Sequence, residues 1–212
     1  MSRKLLGDGL FLIQIGFALT FGTSQFLQML TSAEGVSMSW FGFWLIFLLL
    51  NLWLAWHAHK AMPSRVTFQT LIAYSTWTMV VTLDVSVIVF KQAWVWNDRD
   101  TLTAFIAIVG VLATLFWGRF ELTNPLVKGF MAVFFKAIPQ FILAWNIWLV
   151  GGAGMSWIAV IAGHATILSR IGQLVLSVKE ASWDRNRTGS LISEVPNEIS
   201  WIAVTLVLLL KL

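Results

Sequence analysis

Seven apolar stretches, each close to the ~20 residues that a helix needs to cross the hydrocarbon of a bilayer, take up most of this 212-residue chain. Their spacing predicts helical spans over about Leu10–Leu30, Met38–His57, Val66–Phe90, Thr101–Trp117, Pro125–Val150, Met155–Val178 and Val195–Leu210, the third with room to continue to Trp96. Short polar turns separate them: Thr31–Ser37 with Glu34-Gly35, the basic His59–Arg65 with Pro63, Lys91–Asp100, Glu121–Pro125 and the glycine-rich Gly151–Gly154. The longest polar stretch, Lys179–Glu194, reads as a loop leading into the last span. With 58% hydrophobic and 11% charged residues, the chain is too apolar for a water-soluble domain of this length. The fold class expected is an all-α polytopic membrane protein with seven transmembrane helices.

The net charge of +4 does not point to nucleic acid, because the basic residues lie mostly in short segments between apolar runs. Arg3, Lys4, Lys60, Arg65, Arg119, Lys128, Lys179, Arg185 and Arg187 fall on the N-terminal side, against Lys91, Arg99 and Lys211 on the other. By the positive-inside rule the N-terminus is expected in the cytoplasm and the C-terminus outside. That topology makes the formal glycosylation acceptor Asn186-Arg187-Thr188 a chance occurrence, since it would face the cytoplasm. The basic N-terminus followed by an apolar run has the shape of a secretory signal. Asp8 interrupts the run, however, the run is long, and no A-x-A cleavage pattern follows Phe21, so it is read as a retained first helix. Cysteine is absent, which removes disulfides, thiolate metal sites and cysteine nucleophiles. Thirteen tryptophans and one tyrosine suit interfacial belts, with helix packing as the alternative for most of them.

Inside the fifth span, Lys136-Ala137-Ile138-Pro139-Gln140 sets a cation, a helix breaker and an amide within five positions. Proline removes a backbone hydrogen bond and frees the carbonyl of Phe135, and a cation near the bilayer centre costs about 3 kcal/mol or more. Such a stretch belongs on the wall of a polar pathway rather than against lipid. Pro139 reads equally well as a hinge for a rocking helix bundle and as a static kink. Lys136 lies about 11 residues, roughly 16 Å, into its helix, too deep for easy snorkelling.

Other polar residues within spans complete the candidate set. Asp84 is the one acid deep in the expected spans and the natural counter-charge for Lys136. The two are expected to pair, or one of them to bind a charged solute group or a proton; the competing account ends the third helix early and leaves Asp84 near the outer surface. Gln25 and Gln140 suit a sugar hydroxyl or an interhelical bond, and Asn51 suits packing or pocket lining. His164 reads as a buried histidine with one backbone bond or as a proton relay beside Arg170. His57, His59 and His164 are the only histidines, and nothing in the sequence calls for a metal or another cofactor. Enzyme signatures such as Gly-x-Ser-x-Gly, His-Glu-x-x-His or a phosphate loop are missing, so the chain is not expected to be an enzyme.

The first and fifth spans can be laid over each other. Ser24-Gln25-Phe26 aligns with Pro139-Gln140-Phe141 at an offset of 115 residues, and Met38-Ser39-Trp40 with Met155-Ser156-Trp157 at 117, with a glycine-containing turn between the paired elements each time. Two three-helix units joined by a linker helix fit this layout: 1–97, a linker helix over 98–122, and 123–212. An odd-numbered unit repeated after one extra helix enters the membrane from the same side, so the halves are parallel repeats, with substrate sites near the midplane where they meet. Lys136 does not repeat, since Phe21 stands at its counterpart by the same offset of 115.

In these features the chain resembles the PQ-loop transporters, and within them the SWEET sugar carriers, a 3+1+3 bundle with a proline-glutamine pair in the first helix of a repeat. Pro139-Gln140 matches that pair; at Gln25 the proline position holds Ser24. Val195-Pro196-Asn197 is similar to the proline-asparagine that opens the seventh helix of SWEETs, and the resemblance implies that Asn197 lines the solute site, with Asp84 nearest to the matching position in the third helix. Two departures are the inverted orientation and the long Lys179–Glu194 stretch. The resemblance implies a small-solute membrane transporter, for a sugar or for an amino-acid-like or proton-coupled polar solute, working by alternating access between two three-helix bundles. The alternative is a non-transporting accessory subunit of a larger membrane protein complex. The partners expected are membrane lipids and a small polar solute, with room for a homo-oligomer or a larger complex.

Overall fold

Helix starts are written into the chain as capping residues. Ser37 accepts a hydrogen bond from the Trp40 amide, Ser64 and Thr67 form a reciprocal capping box, as do Asn97 and Asp100, and Asn124 caps a helix with Pro125 in its first turn. Each satisfies amides that a helix N-terminus leaves without partners. The protein, seen in a computed structural model that describes residues 3–91, 96–178 and 183–211, is all-helical, with no strand among those residues. The elements are α1 (Arg3–Thr31), α2 (Met38–Ala61), α3 (Arg65–Phe90), α4 (Asp98–Trp117), α5 (Pro125–Ala132), a π-helical segment (Val133–Ala137), α6 (Ile138–Val150), α7 (Trp157–Val178) and α8 (Arg185–Leu210).

Since α5, the π segment and α6 form one continuous helix, seven helices among the described residues are long and apolar enough to span a membrane. Their outward faces are apolar; on α4, Phe105, Ile108, Val109, Leu112 and Phe116 are exposed at helical spacing. The protein is an integral, multi-pass membrane protein, and these faces contact lipid.

The third helix ends at Phe90, the boundary expected, and does not continue to Trp96; the start of the seventh span is corrected. The seventh span starts at Arg185, ten residues before the expected Val195, because Asp184 caps it by accepting from the Arg187 amide. Pro196 and Asn197 therefore lie within α8 rather than opening it. The polar residues of Asn186–Glu194 resemble a loop in composition, yet several of them face the interior of the bundle. The expected turns at Lys91–Asp100 and Lys179–Glu194 include residues 92–95 and 179–182, which lie outside the described residues.

The helix α3 lies against both α1 and α2, and α8 lies against α5–α6 and α7. The most extensive packing is that of α1 along α7, while α2 meets the π segment and α6. The helix α4 lies outside, against α2 and the α5–α6 helix. Gly129 and Gly189 let α5 and α8 approach until a Cβ at Gly129 would stand 2.5 Å from the Gly189 carbonyl oxygen.

Away from the N-terminal side, the turns after α1 and α6 interlock. Gly35 (φ 78°) and Gly151 (φ 104°) occupy conformations that favour glycine, and a Cβ at Gly35 would lie 2.1 Å from the Gly151 carbonyl oxygen. The Gly154 amide donates to the Glu34 carbonyl at 2.8 Å. Gln25 donates to the Gly154 carbonyl at 2.8 Å and accepts from the Ser156 amide at 3.1 Å. From the other half, Asn146 donates to the Gly35 carbonyl at 2.9 Å. Beside them Ser37 and Ser39 both donate to Asp100, at 2.7 and 2.6 Å, which ties α4 to the start of α2.

Candidate functional site

The opposite end of the bundle is not filled. A cavity of about 1250 Å³ extends inward from the N-terminal ends of α1, α3, α5 and α8 and the C-terminal end of α7. Its outer part reaches Asp8, Ser64, Arg65, Pro125, Ser177 and Asn186. Its inner end is an aromatic floor of Phe21, Trp40, Trp44, Trp77 and Trp201. The rings are packed on one another: Trp44 and Trp77 lie 5.1 Å apart between centroids, Phe21 stands edge-on to both at 5.6 and 5.5 Å, and Trp40 lies 5.8 Å from Trp201. Four of the tryptophans are thus core residues, whereas Trp53, Trp56, Trp117, Trp145 and Trp148 are exposed on the outer surface.

Helical geometry lines this cavity with polar groups. Lys136 and Gln140 are one turn apart and face it together. The π segment holds Lys136, with the Ile138 amide bonded five residues back to the Val133 carbonyl, and the ring of Pro139 offers no amide to the turn before it. A π turn is a local register shift that recurs at functional sites. The sequence predicted an irregularity here; its form is this widened turn. From α8, Asn186, Gly189, Ser190, Ser193, Glu194, Asn197 and Trp201 face the cavity at three- and four-residue intervals.

Of the expected site residues, Asn51, Lys136, Gln140 and Asn197 are brought together on the cavity wall. Asn51 donates back to the Phe47 carbonyl at 2.8 Å. Gln140 accepts from Ser200 at 2.5 Å, and its amide nitrogen has no acceptor among the described residues. The Asn197 side-chain amide oxygen, Oδ1, is buried without a partner. Lys136 is 7% exposed; its ammonium lies 5.9 Å from the centre of the Phe47 ring and makes no hydrogen bond or ion pair among the described residues.

The remaining candidates stand elsewhere. Gln25 is fully buried in the interlocked turns, with both ends of its amide engaged. His164 uses both ring nitrogens, Nδ1 with Glu198 at 2.6 Å and Nε2 with Thr205 at 2.8 Å, instead of the single backbone bond expected. Asp84 is fully buried, and neither carboxylate oxygen has a hydrogen-bond partner. The expected Lys136–Asp84 pair does not form. Counting inward from the same side, Asp84 lies about 28 Å along its helix and Lys136 about 16 Å along its own, so the two sit at different depths.

The charged neighbours of Lys136 are instead Glu194 and Arg170. Arg170 pairs with Glu194 at 3.3 Å, and Tyr74 lies on the same cavity wall. Ser193 also donates to Glu194, at 3.4 Å. Nearer the mouth, Asp8 pairs with Arg65 and accepts from Gln69 at 3.0 Å. Sequence reasoning missed Glu194 because it stood in an expected loop. The signal available was the i, i+3, i+4 recurrence of polar residues after the Asp184 cap.

No protein-family model, curated protein or solved structure matches the chain.

Proposed function

We propose that the protein is a small-solute membrane transporter of the PQ-loop type, working by alternating access between two three-helix bundles, α1–α3 and α5–α8, with α4 as the linker. The observation that carries this reading is the one-sided cavity: it opens on the N-terminal side, carries charged and amide side chains on its wall and ends in packed aromatic rings, beyond which the turns after α1 and α6 are bonded to each other. An alternating-access carrier caught with one gate open and the other shut has this form. The packing of α3 on α1 and α2, and of α8 on α5–α6 and α7, supports a repeat. In this state the solute enters from the N-terminal side, which the loop charges assign to the cytoplasm. Lys136, Gln140, Asn51 and Asn197 meet the solute, while Gln25 holds the closed gate. The π turn and Pro139 form the compliant point about which α6 tilts.

Proteoliposomes test the reading. Saturable uptake of a sugar, an amino acid or a small organic acid is expected, and no saturable flux across such a panel overturns it. Because the chain contains no cysteine, single cysteines report which side is open. Ser190→Cys on the cavity wall is expected to react with a membrane-impermeant maleimide from the N-terminal side. Ser156→Cys, beneath the closed gate, is expected to react from the opposite side only when transported solute is present.

A further inference from the structure

We infer that the solute is a small organic monocarboxylate, its carboxylate held by the Lys136 ammonium and the Gln140 amide. This inference rests on the transporter reading for its biological meaning, though not for its chemistry. The charged residues on the cavity wall are Arg65, Lys128, Lys136 and Arg170 against Asp8 and Glu194. Arg65 is occupied by Asp8 and Arg170 by Glu194, which leaves two lysines uncompensated. Lys128 is partly exposed near the mouth, where water solvates it, whereas Lys136 is more than nine-tenths buried. At the depth of Lys136 the local group is Arg170, Glu194 and Lys136 itself, with a net charge of +1.

An uncompensated cation inside an apolar bundle is costly, and the site lowers that cost by taking up one negative charge. Direction comes from the donors. The Lys136 ammonium and the Gln140 amide nitrogen, one helical turn apart, both face the cavity without acceptors. A carboxylate supplies two acceptor oxygens and the missing charge. A phosphate dianion fits less well, because the guanidinium groups that would clamp it bidentately are already paired. The unpartnered Asn197 side-chain oxygen, Oδ1, adds an acceptor for a hydroxyl, and the aromatic floor accommodates an apolar body. A hydroxy acid such as lactate combines these features in a small probe. A neutral sugar brings no charge to the site, and an amino acid brings a second cation beside Lys136.

The test uses the full chain, purified in detergent, and equilibrium binding of four probes: L-lactate, its uncharged amide lactamide, the zwitterion L-alanine and inorganic phosphate. L-lactate is expected to bind saturably and at least about tenfold more tightly than the other three. Lys136→Gln is expected to lower lactate affinity about tenfold or more and to abolish its preference over lactamide, whereas Lys136→Arg retains both. Size-exclusion profile and helical content report whether the variants fold, and the comparison of lactate with lactamide on the unaltered protein needs no variant. Equal binding of lactamide or alanine, tighter binding of phosphate, no lactate binding, or unchanged lactate affinity in folded Lys136→Gln overturns the inference. Proteoliposome flux separates the two ideas. Saturable sugar flux that lactate does not inhibit leaves a transporter without an anion site, and lactate binding without flux leaves an anion site without a transporter.

Discussion

The two ends of this bundle treat buried polar side chains in opposite ways. At the end where the turns interlock, Gln25, Asn146, Ser37, Ser39 and Asp100 are bonded to backbone or to one another across long stretches of sequence. At the cavity end, Lys136, Gln140 and Asn197 each keep a polar group without a protein partner. The first arrangement acts as glue, because in lipid a polar group is stabilised by the partner it finds. The second leaves hydrogen-bonding capacity available to a ligand. Gln25 and Gln140 make the point most directly: one is spent on structure while the other faces open space. Asp84 departs from this pattern, a carboxylate in the packed region with neither oxygen bonded, and the Arg99 Nε and Thr78 hydroxyl are buried without partners as well.

The comparison can be broken most severely at Gly35. Gly35→Val adds a branched side chain at positive φ against the Gly151 carbonyl. It is expected to cost about 3–5 kcal/mol in reversible unfolding measured in bicelles, and to make Ser156→Cys reactive without solute. A cost below that of an ordinary surface change would show that the turns are not the closed gate.

Next in size, Gln25→Leu strands the Gly154 carbonyl and the Ser156 amide and is expected to cost about 2–4 kcal/mol. Gln140→Leu loses only the Ser200 bond and is expected to cost about 1 kcal/mol or less, while lowering solute uptake severalfold. Equal unfolding costs for the two would erase the distinction between glue and site.

Smaller effects sharpen the picture. Asp84→Asn keeps the shape and removes a carboxyl group that has no partner, so stability is expected to stay level or rise by about 1 kcal/mol. A clear loss in the same unfolding assay would mean that the carboxylate has a role in the closed half. Lys128→Gln, near the mouth, is expected to slow uptake of an anionic probe about twofold at low ionic strength and hardly at all in high salt, read from initial rates.

Much of this was legible along the chain. Span count, turn positions and the capping residues follow from local rules, since apolar length and the needs of unpaired amides are properties of short segments. The strain around Pro139 was visible as well, because a proline within an apolar helix must disturb its hydrogen bonds. Reading the start of α8 as a loop failed because polarity there reflects an internal water-accessible face, and composition alone does not distinguish that from exposure at a membrane surface. Pairing Lys136 with Asp84 failed because charge complementarity between two buried residues does not bring them to one level, and they lie about 16 and 28 Å, respectively, along their helices.

By itself, then, the sequence determined an all-helical membrane protein with its helix starts, its glycine turns and an out-of-place cation in the fifth span. Tertiary structure alone decided which partners the polar residues found. Whether Gln25 is satisfied or Lys136 is not depends on groups more than 50 residues away in the chain, such as Gly154 and Glu194. Such partners are selected by helix packing, to which the local pattern of a segment is blind.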